Sequence, residues 1–139
     1  AHDDFRIIAT GNTLGRGDES ALYAGTNILN EAFLGRFGVV AQFGYLKASE
    51  ETKVVHKRTG IAKERAGDIV KIANMARKAF DDRKIFSTFC IRKVLNMAKI
   101  IAIGESLQTA LEFVVYSKCT PEDKNLITEM VNRVVGKDT

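Results

Sequence analysis

The sequence predicts a mostly helical chain in which an α/β fragment is followed by an all-α helical bundle. Three observations support this prediction. Seven of the eleven glycines precede residue 47, two β-type apolar runs lie in the same region at residues 5–9 and 38–46, and apolar residues at helical spacing fill the remainder. The change of character divides the chain into residues 1–47 and residues 48–139.

The first region combines strand-like and helix-like patterns. The run at residues 5–9 ends in a polar loop that contains Asn12. An amphipathic segment then places Ile28, Leu29 and neighbouring apolar residues on one face and ends at Arg36, just before the second apolar run. This order is typical of an α/β layer.

The second region begins with two predicted helices. Ser49 is a suitable N-cap, Glu50 and Glu51 follow in the first turn where the helix dipole favours carboxylates, and Gly60 ends the helix. The next helix extends through about Phe80. Its apolar stripe has spacings of three and four residues and consists of Ala62, Ala66, Ile69, Ala73, Ala76 and Phe80.

Further helices follow a polar break at residues 81–84. Apolar residues at helical spacing recur from Ile91 to Ala102 and again from Leu107 to Val115, with Gly104 between them. The last helix has the clearest end signals, because a capping threonine, a proline and two acids open it and Gly136 is placed to stop it. Its predicted core face is Leu126, Ile127, Met130, Val131 and Val134.

Composition favours a soluble, cytoplasmic globular protein. The chain has 139 residues, of which 45% are hydrophobic and 27% charged. Apolar runs are far shorter than the roughly 20 residues of a membrane span, and no secretory signal pattern opens the chain. Membrane-spanning function is therefore not expected.

Cysteine and histidine usage indicates no metal site. Cys90 and Cys119 are far apart in sequence and form no C-x-x-C pair, so two buried reduced thiols are expected. His56 has no carboxylate at ligand spacing and is interpreted as a surface histidine.

A net charge of +4 and a basic stretch from Lys53 to Arg65 leave a nucleic-acid-binding or purely helical interaction module open as an alternative. Glutamates are interspersed with these cations and no aromatic residue is interleaved with them for base stacking, so a solvated helix face is favoured. The alternative predicts steeply salt-dependent DNA binding.

Three residues are candidates for nucleotide chemistry. Asn12 follows a strand-like run, where a side-chain amide could hydrogen-bond a phosphate, although Asn beside Gly is also ordinary turn chemistry. Arg36 could reach a neighbouring subunit's γ-phosphate or serve as a surface ion-pair partner. Arg92 lies near a helix start and could reach across a cleft to a nucleotide, and spacing alone does not decide its role.

The chain lacks two elements of a complete nucleotide site. It contains no G-x-x-x-x-G-K-[ST] loop and no apolar strand ending in Asp-Glu. The glycines at positions 11, 15 and 17 do not match a phosphate-binding loop and favour a plain loop. We therefore expect this chain alone to be catalytically inactive.

Several motifs occur together in one order that resembles a known family. They are ATGNTLGRGD at residues 9–18, LYAGTNILNEAFLGRFGVV at 22–40, KIANMARKAF at 71–80, CIR at 90–92, SKC at 117–119 and the closing Arg133-x-x-Gly136. In this order the chain resembles the carboxyl-terminal half of the CobS-like AAA+ ATPases, the family of the cobaltochelatase small ATPase subunit, within the broader MoxR group. The resemblance covers nearly the whole chain.

This resemblance implies a role for each candidate residue. Asn12 would take the sensor-1 position, Arg36 the arginine-finger position acting in trans, and Arg92 the sensor-2 position on the lid. Gly35 stands where the family usually has an acid, and Cys90-Ile91 replaces the usual Ser-Pro before Arg92. Residues 1–47 would be the end of the ATPase core and residues 48–139 the helical lid.

The resemblance also implies the reaction and the partners. The parent protein would bind ATP and Mg²⁺, assemble as a homo-oligomeric ring, and couple hydrolysis to metal insertion into a corrin-type tetrapyrrole together with a chelatase large subunit. No tightly bound cofactor is expected on this chain alone. A MoxR-like protein-remodelling ATPase, including one encoded by a phage, is the alternative within the same superfamily.

Overall fold

The computed structural model describes residues 2–11 and 28–136, and its regular elements within these ranges are helices. In chain order they are α1 (Glu31–Leu34), α2 (Ala48–Thr59), α3 (Lys63–Asp81), α4 (Ile91–Ala102), α5 (Leu107–Val114), a 3₁₀ turn (Tyr116–Lys118) and α6 (Pro121–Val135). The chain divides into two units, Ala1–Phe43 and Gly44–Thr139. Helices α2 to α6 all belong to the second unit.

The long helix α3 organises the second unit. It packs against α2, α4 and α6, while α4 also packs against α2 and α5. Its alanine-rich stripe lets the neighbouring helices approach closely, and Ala66, Ala73 and Ala76 are fully buried. The core is completed by side chains from all α-helices of the unit and from the loop before α4: Val55, Ile69, Ile72, Ile85, Phe89, Met97, Leu111 and Ile127.

The helix ends follow local chemistry at most positions. Gly60 ends α2 with φ at 77°, a left-handed conformation that glycine adopts without steric cost. At α6 the Thr120 side chain accepts the Asp123 N–H, Pro121 occupies the first turn, and Gly136 ends the helix. The predicted core face of α6 is confirmed, with Ile127 and Val131 buried and Leu126, Met130 and Val134 packed against the core.

One predicted cap is wrong. The N-cap of α2 is Lys47, not Ser49, and its side chain makes no capping hydrogen bond. Ser49 lies inside the first turn. A cap preference is worth about 1 kcal/mol, which tertiary contacts override readily, and Glu51 in this turn is held by a buried ion pair.

The two runs predicted as strands, residues 5–9 and 38–46, form no strand in the described part of the chain. A β-strand requires a neighbouring strand to satisfy its N–H and C=O groups, and neither run pairs with a described segment. The structure therefore does not show the α/β part of the predicted fold. It does show the mostly helical character that the sequence predicts. The proposed boundary between residues 47 and 48 stays a prediction.

Candidate functional site

The loop between α3 and α4, residues 82–90, delivers Arg92 to the first turn of α4. We call it the α3–α4 loop. Its buried side chains Ile85 and Phe89 anchor it in the hydrophobic core. Its backbone is held by two buried charged side chains, Arg77 from α3 and Asp123 from α6. The position of α4's first turn therefore depends on both α3 and α6.

Arg77 lies at the centre of a buried polar cluster. Its guanidinium binds both oxygens of Glu51 in α2, at 2.6 Å to Oε2 and 2.7 Å to Oε1. Its Nε donates to the Phe89 carbonyl at 2.7 Å, and Nη1 also donates to Asn74 at 2.9 Å. The Tyr45 ring covers the guanidinium, with its centroid 4.0 Å from Cζ. Arg77 and Glu51 are only 5% and 1% exposed.

Asp123 holds the middle of the α3–α4 loop. Its carboxylate accepts the Phe86 N–H at 3.0 Å and the Ser87 N–H at 3.0 Å. An ionised carboxylate that accepts backbone N–H groups forms charge-assisted hydrogen bonds, which are about twice as strong as neutral ones. The buried acid of α6 therefore satisfies two amides in a segment without regular structure.

Arg92 is the second residue of α4 and its side chain is exposed. It adjoins Cys90, the N-cap residue, whose backbone is extended. Burial opposes ionisation of the Cys90 thiol, but hydrogen bonds from the Lys93 and Arg92 backbone N–H groups and the nearby Arg92 guanidinium outweigh it, so the pKa of Cys90 is lowered. The helix start thus stabilises negative charge.

Lys93 lies on the inner side of the same helix start. Its Nζ donates to Ser87 Oγ at 3.0 Å and lies 5.4 Å from the Phe89 ring centroid. Burial lowers the pKa of Lys93, while the thiols of Cys119 and Cys90 oppose this shift. Unlike the exposed side chain of Arg92, the side chain of Lys93 binds the α3–α4 loop.

The structure describes two of the three predicted site residues, one in each unit. Arg36 follows the short helix α1 and is exposed, and its guanidinium has no hydrogen bond or ion pair with any described residue. Arg92 lies in the second unit. Asn12 lies outside the described residues.

The structure also describes the basic stretch, His56 and the two cysteines. The five basic residues between Lys53 and Arg65 are all exposed, as a solvated face requires. His56 is exposed, and its Nδ1 lies 2.7 Å from the Ile61 carbonyl oxygen. Cys90 and Cys119 are free, as predicted, but the prediction that both are buried is wrong, because each is only partly buried. Cys90 is the N-cap residue of α4, and Cys119 is the C-cap residue of the 3₁₀ turn. Their position at helix ends explains why their side chains are not fully enclosed by the core.

Sequence reasoning missed Arg77, Asp123 and the role of Glu51. Arg77 follows Ala73 by four residues and precedes Phe80 by three, so it lies on the buried stripe of α3 and could have been recognised as an internal charge. Glu51 is interpreted from sequence as a carboxylate favoured by the helix dipole, and Asp123 as part of the capping signal of the last helix, because both lie in first turns. No local signal identifies their partners, which lie more than 20 residues away.

No group of three or more histidine, cysteine or acidic side chains in residues 2–11 and 28–136 is arranged to hold a metal ion. Within the same ranges, no helix has both the length and the apolar character needed to cross a membrane.

Comparisons with known proteins place this arrangement in context. The family described as CbbQ/NirQ/NorQ C-terminal matches residues 51–137, more than half of the chain. The chain is 28% identical to the aerobic cobaltochelatase subunit CobS of a Sinorhizobium species, over 97% of this chain and 42% of that protein. It is 34% identical to "Putative chaperone BssE" of Thauera aromatica, over 71% of this chain and 32% of that protein. The chain spans less than half the length of either relative.

Proposed function

The chain belongs to the CbbQ/NirQ/NorQ C-terminal family, and from this premise we propose that it is the sensor-bearing C-terminal part of an AAA+ ATPase. The resemblance to CobS-like proteins is confirmed by the similarity to CobS over 97% of the chain. The observation that carries the proposal is that the family match includes Arg92, an exposed guanidinium in the first turn of α4.

Arg92 supplies a cation for nucleotide phosphates. A guanidinium remains charged at all physiological pH values and its planar fork of donors matches phosphate oxygens. The lowered pKa of Cys90, to which the Lys93 and Arg92 backbone N–H groups and the Arg92 guanidinium all contribute, is consistent with a helix start that favours anions. In the proposed ATPase, Arg92 binds ATP from the helical unit and reports its presence to that unit.

Arg36 supplies a second cation, for the nucleotide of a neighbouring subunit. Its exposure and its lack of a partner among the described residues leave the guanidinium available to another molecule. ATP supplies the phosphoryl group that is transferred, and an arginine acting in trans offsets the negative charge that develops on it, which is worth about 10³- to 10⁵-fold in rate. This role requires a homo-oligomer.

Asn12 is proposed as the sensor-1 residue on the resemblance alone. Its amide would orient the attacking water or hydrogen-bond the γ-phosphate. We expect the magnesium ligands to lie outside this chain, since the sequence has no strand ending in Asp-Glu and the described residues form no acidic cluster.

For the coupled process we propose metal insertion into a corrin-type tetrapyrrole, with a chelatase large subunit as partner. The similarity to CobS, an aerobic cobaltochelatase subunit, supports this choice. The similarity to BssE, whose name describes a chaperone, supports remodelling of a protein client as the second candidate. Stimulation of ATP turnover by a chelatase large subunit rather than by a protein client distinguishes the two.

The test of the ATPase proposal is ATP turnover by the full-length protein that carries this chain. We expect Arg36→Ala to lower turnover by at least about 10³-fold. A one-to-one mixture of Arg36→Ala with a phosphate-loop lysine variant should regain activity, because each mixed interface can combine one intact arginine with one intact phosphate loop.

The control is Arg58→Ala, which removes an exposed arginine from α2 and should leave turnover unchanged. Normal turnover by Arg36→Ala would refute the trans role of this residue. Steeply salt-dependent DNA binding together with normal turnover would favour the nucleic-acid module instead.

A further inference from the structure

Arg77 connects three segments that meet before α4. Its guanidinium edge donates to Glu51 in α2 and to the Phe89 carbonyl in the α3–α4 loop, and its face lies against Tyr45 in the segment that leads from residue 43 into α2. A cavity of about 60 Å³ lined by Tyr45, Arg77, Thr88 and Phe89, among others, marks the same meeting point. Arg77 is therefore the common partner of these segments.

Resting on the proposed function, we infer that Arg77 is a positioning residue for nucleotide sensing: it couples the Tyr45 segment and α2 to the placement of Arg92. The Phe89 carbonyl that Arg77 binds directly precedes Cys90, the N-cap of α4, and Arg92 is two residues further on. A displacement of Phe89 therefore moves the first turn of α4. Arg77 itself is buried and cannot contact a nucleotide.

The geometry explains why this position requires arginine. Four N–H donors of one rigid group bind Phe89, Asn74 and both oxygens of Glu51. A lysine ammonium is a point donor on a flexible chain, and it cannot bind Glu51 in a bidentate manner while holding the Phe89 carbonyl. Arg77→Lys therefore keeps the charge opposite Glu51 but releases the α3–α4 loop.

The experiment is a double-mutant cycle in the full-length protein, with KM for ATP and kcat as readouts. Arg92→Ala should raise KM for ATP or lower kcat. Arg77→Lys should change the same parameter in the same direction by about five- to tenfold, since misplacement by about 1 Å can cost up to about 100-fold. In the Arg92→Ala background, Arg77→Lys should have almost no further effect.

Two additional variants separate positioning from stability. Glu51→Gln combined with Arg77→Gln leaves no unpaired buried charge, so it takes the place of Arg77→Lys in the cycle should that variant not fold, with the same expected result. Val131→Ala destabilises the same unit from α6 without touching the Arg77 cluster, and KM for ATP should remain unchanged at a temperature where the variant is folded.

The outcomes separate the two proposals. An unchanged KM and kcat in Arg92→Ala would refute the sensing role that the proposed function gives to Arg92, and the coupling with it. A clear effect of Arg92→Ala with no effect of Arg77→Lys, or with independent and additive effects, would refute only the coupling. An effect of Arg77→Lys that disappears in the Arg92→Ala background supports it.

Discussion

At the scale of single residues, the buried charges are more informative than the exposed ones. Glu51 and Arg77 are desolvated, so their ion pair contributes little net stability over an apolar pair, but loss of one partner typically costs about 3–5 kcal/mol. The exposed pair of Lys124 and Glu112, at 3.0 Å, contributes about 0–1 kcal/mol. The buried pair therefore fixes an arrangement rather than adding stability alone.

Cys90 provides a test of the charge environment at the start of α4. Because the Arg92 guanidinium helps to lower its pKa, Arg92→Ala should raise the pKa of this thiol. The thiolate is the reactive form, so the pH–rate profile for alkylation by iodoacetamide should move to higher pH and the rate at neutral pH should fall. Measurements in a Cys119→Ser background report on Cys90 alone.

The matched control for this measurement is Lys99→Ala, which removes an exposed cation from the last turn of the same helix. Its profile should coincide with that of the Cys119→Ser parent. An unchanged profile in Arg92→Ala would mean that the guanidinium does not face Cys90 in solution.

At the scale of elements, α6 shows how strongly local signals can define a helix. The Thr120 Oγ1 accepts the Asp123 N–H at 3.2 Å. We expect Thr120→Ala to lower the free energy of unfolding by about 1 kcal/mol, measured by urea denaturation, because one first-turn N–H loses its acceptor. Asn125→Ala, an exposed substitution in the same helix, should stay within about 0.5 kcal/mol of the parent. Equal stability of all three chains would contradict the capping role.

Helix α6 also shows which features of the fold can be predicted from the sequence. The proline, the capping threonine and the closing glycine act within one turn, so the bounds of α6 follow from residues 120 to 136 alone. The stripe of α3 was predictable from Ala66 to Phe80 because its alanines repeat at helical spacing, but Ala62, predicted in the same stripe, is the exposed N-cap residue. The start of α2 was not predictable from sequence, because the free energy that Ser49 could contribute as a cap is smaller than that of the tertiary contacts of this turn.

The candidate site was predictable only in part. Arg36 and Arg92 could be selected from their neighbours in sequence, and the structure finds both exposed. The pairing of Arg77 with Glu51 spans 26 residues, and that of Asp123 with Phe86 spans 37. Helical periodicity identifies Arg77 as internal, but it contains no information about a partner on another element. Likewise, a strand-like run cannot reveal whether a pairing strand exists.

At the scale of the whole molecule, the first unit exposes large apolar side chains. Ile8, Val39 and Phe43 are mostly exposed, as are several of their neighbours. Exposed apolar side chains favour association, and strand-like runs that pair with no described segment favour it further. Sedimentation velocity should therefore show concentration-dependent self-association of the 139-residue chain.

The control is a chain of residues 44–139, which retains the second unit and its core. It should sediment as a monomer over the same concentrations and unfold cooperatively. A strictly monomeric 139-residue chain, or equal association of both chains, would show that the exposed residues of the first unit do not drive association.

The two anchors of the α3–α4 loop also limit how the arginine motif can be transferred between proteins. Arg77 and Asp123 come from helices on either side of the loop in sequence, and Glu51 comes from a third helix. A shorter graft that carried only Cys90, Ile91 and Arg92 would leave both anchors behind, together with Glu51, the partner of Arg77. The start of α4 is therefore held only within the complete helical unit, and a matching tripeptide in another protein does not by itself reproduce this arrangement.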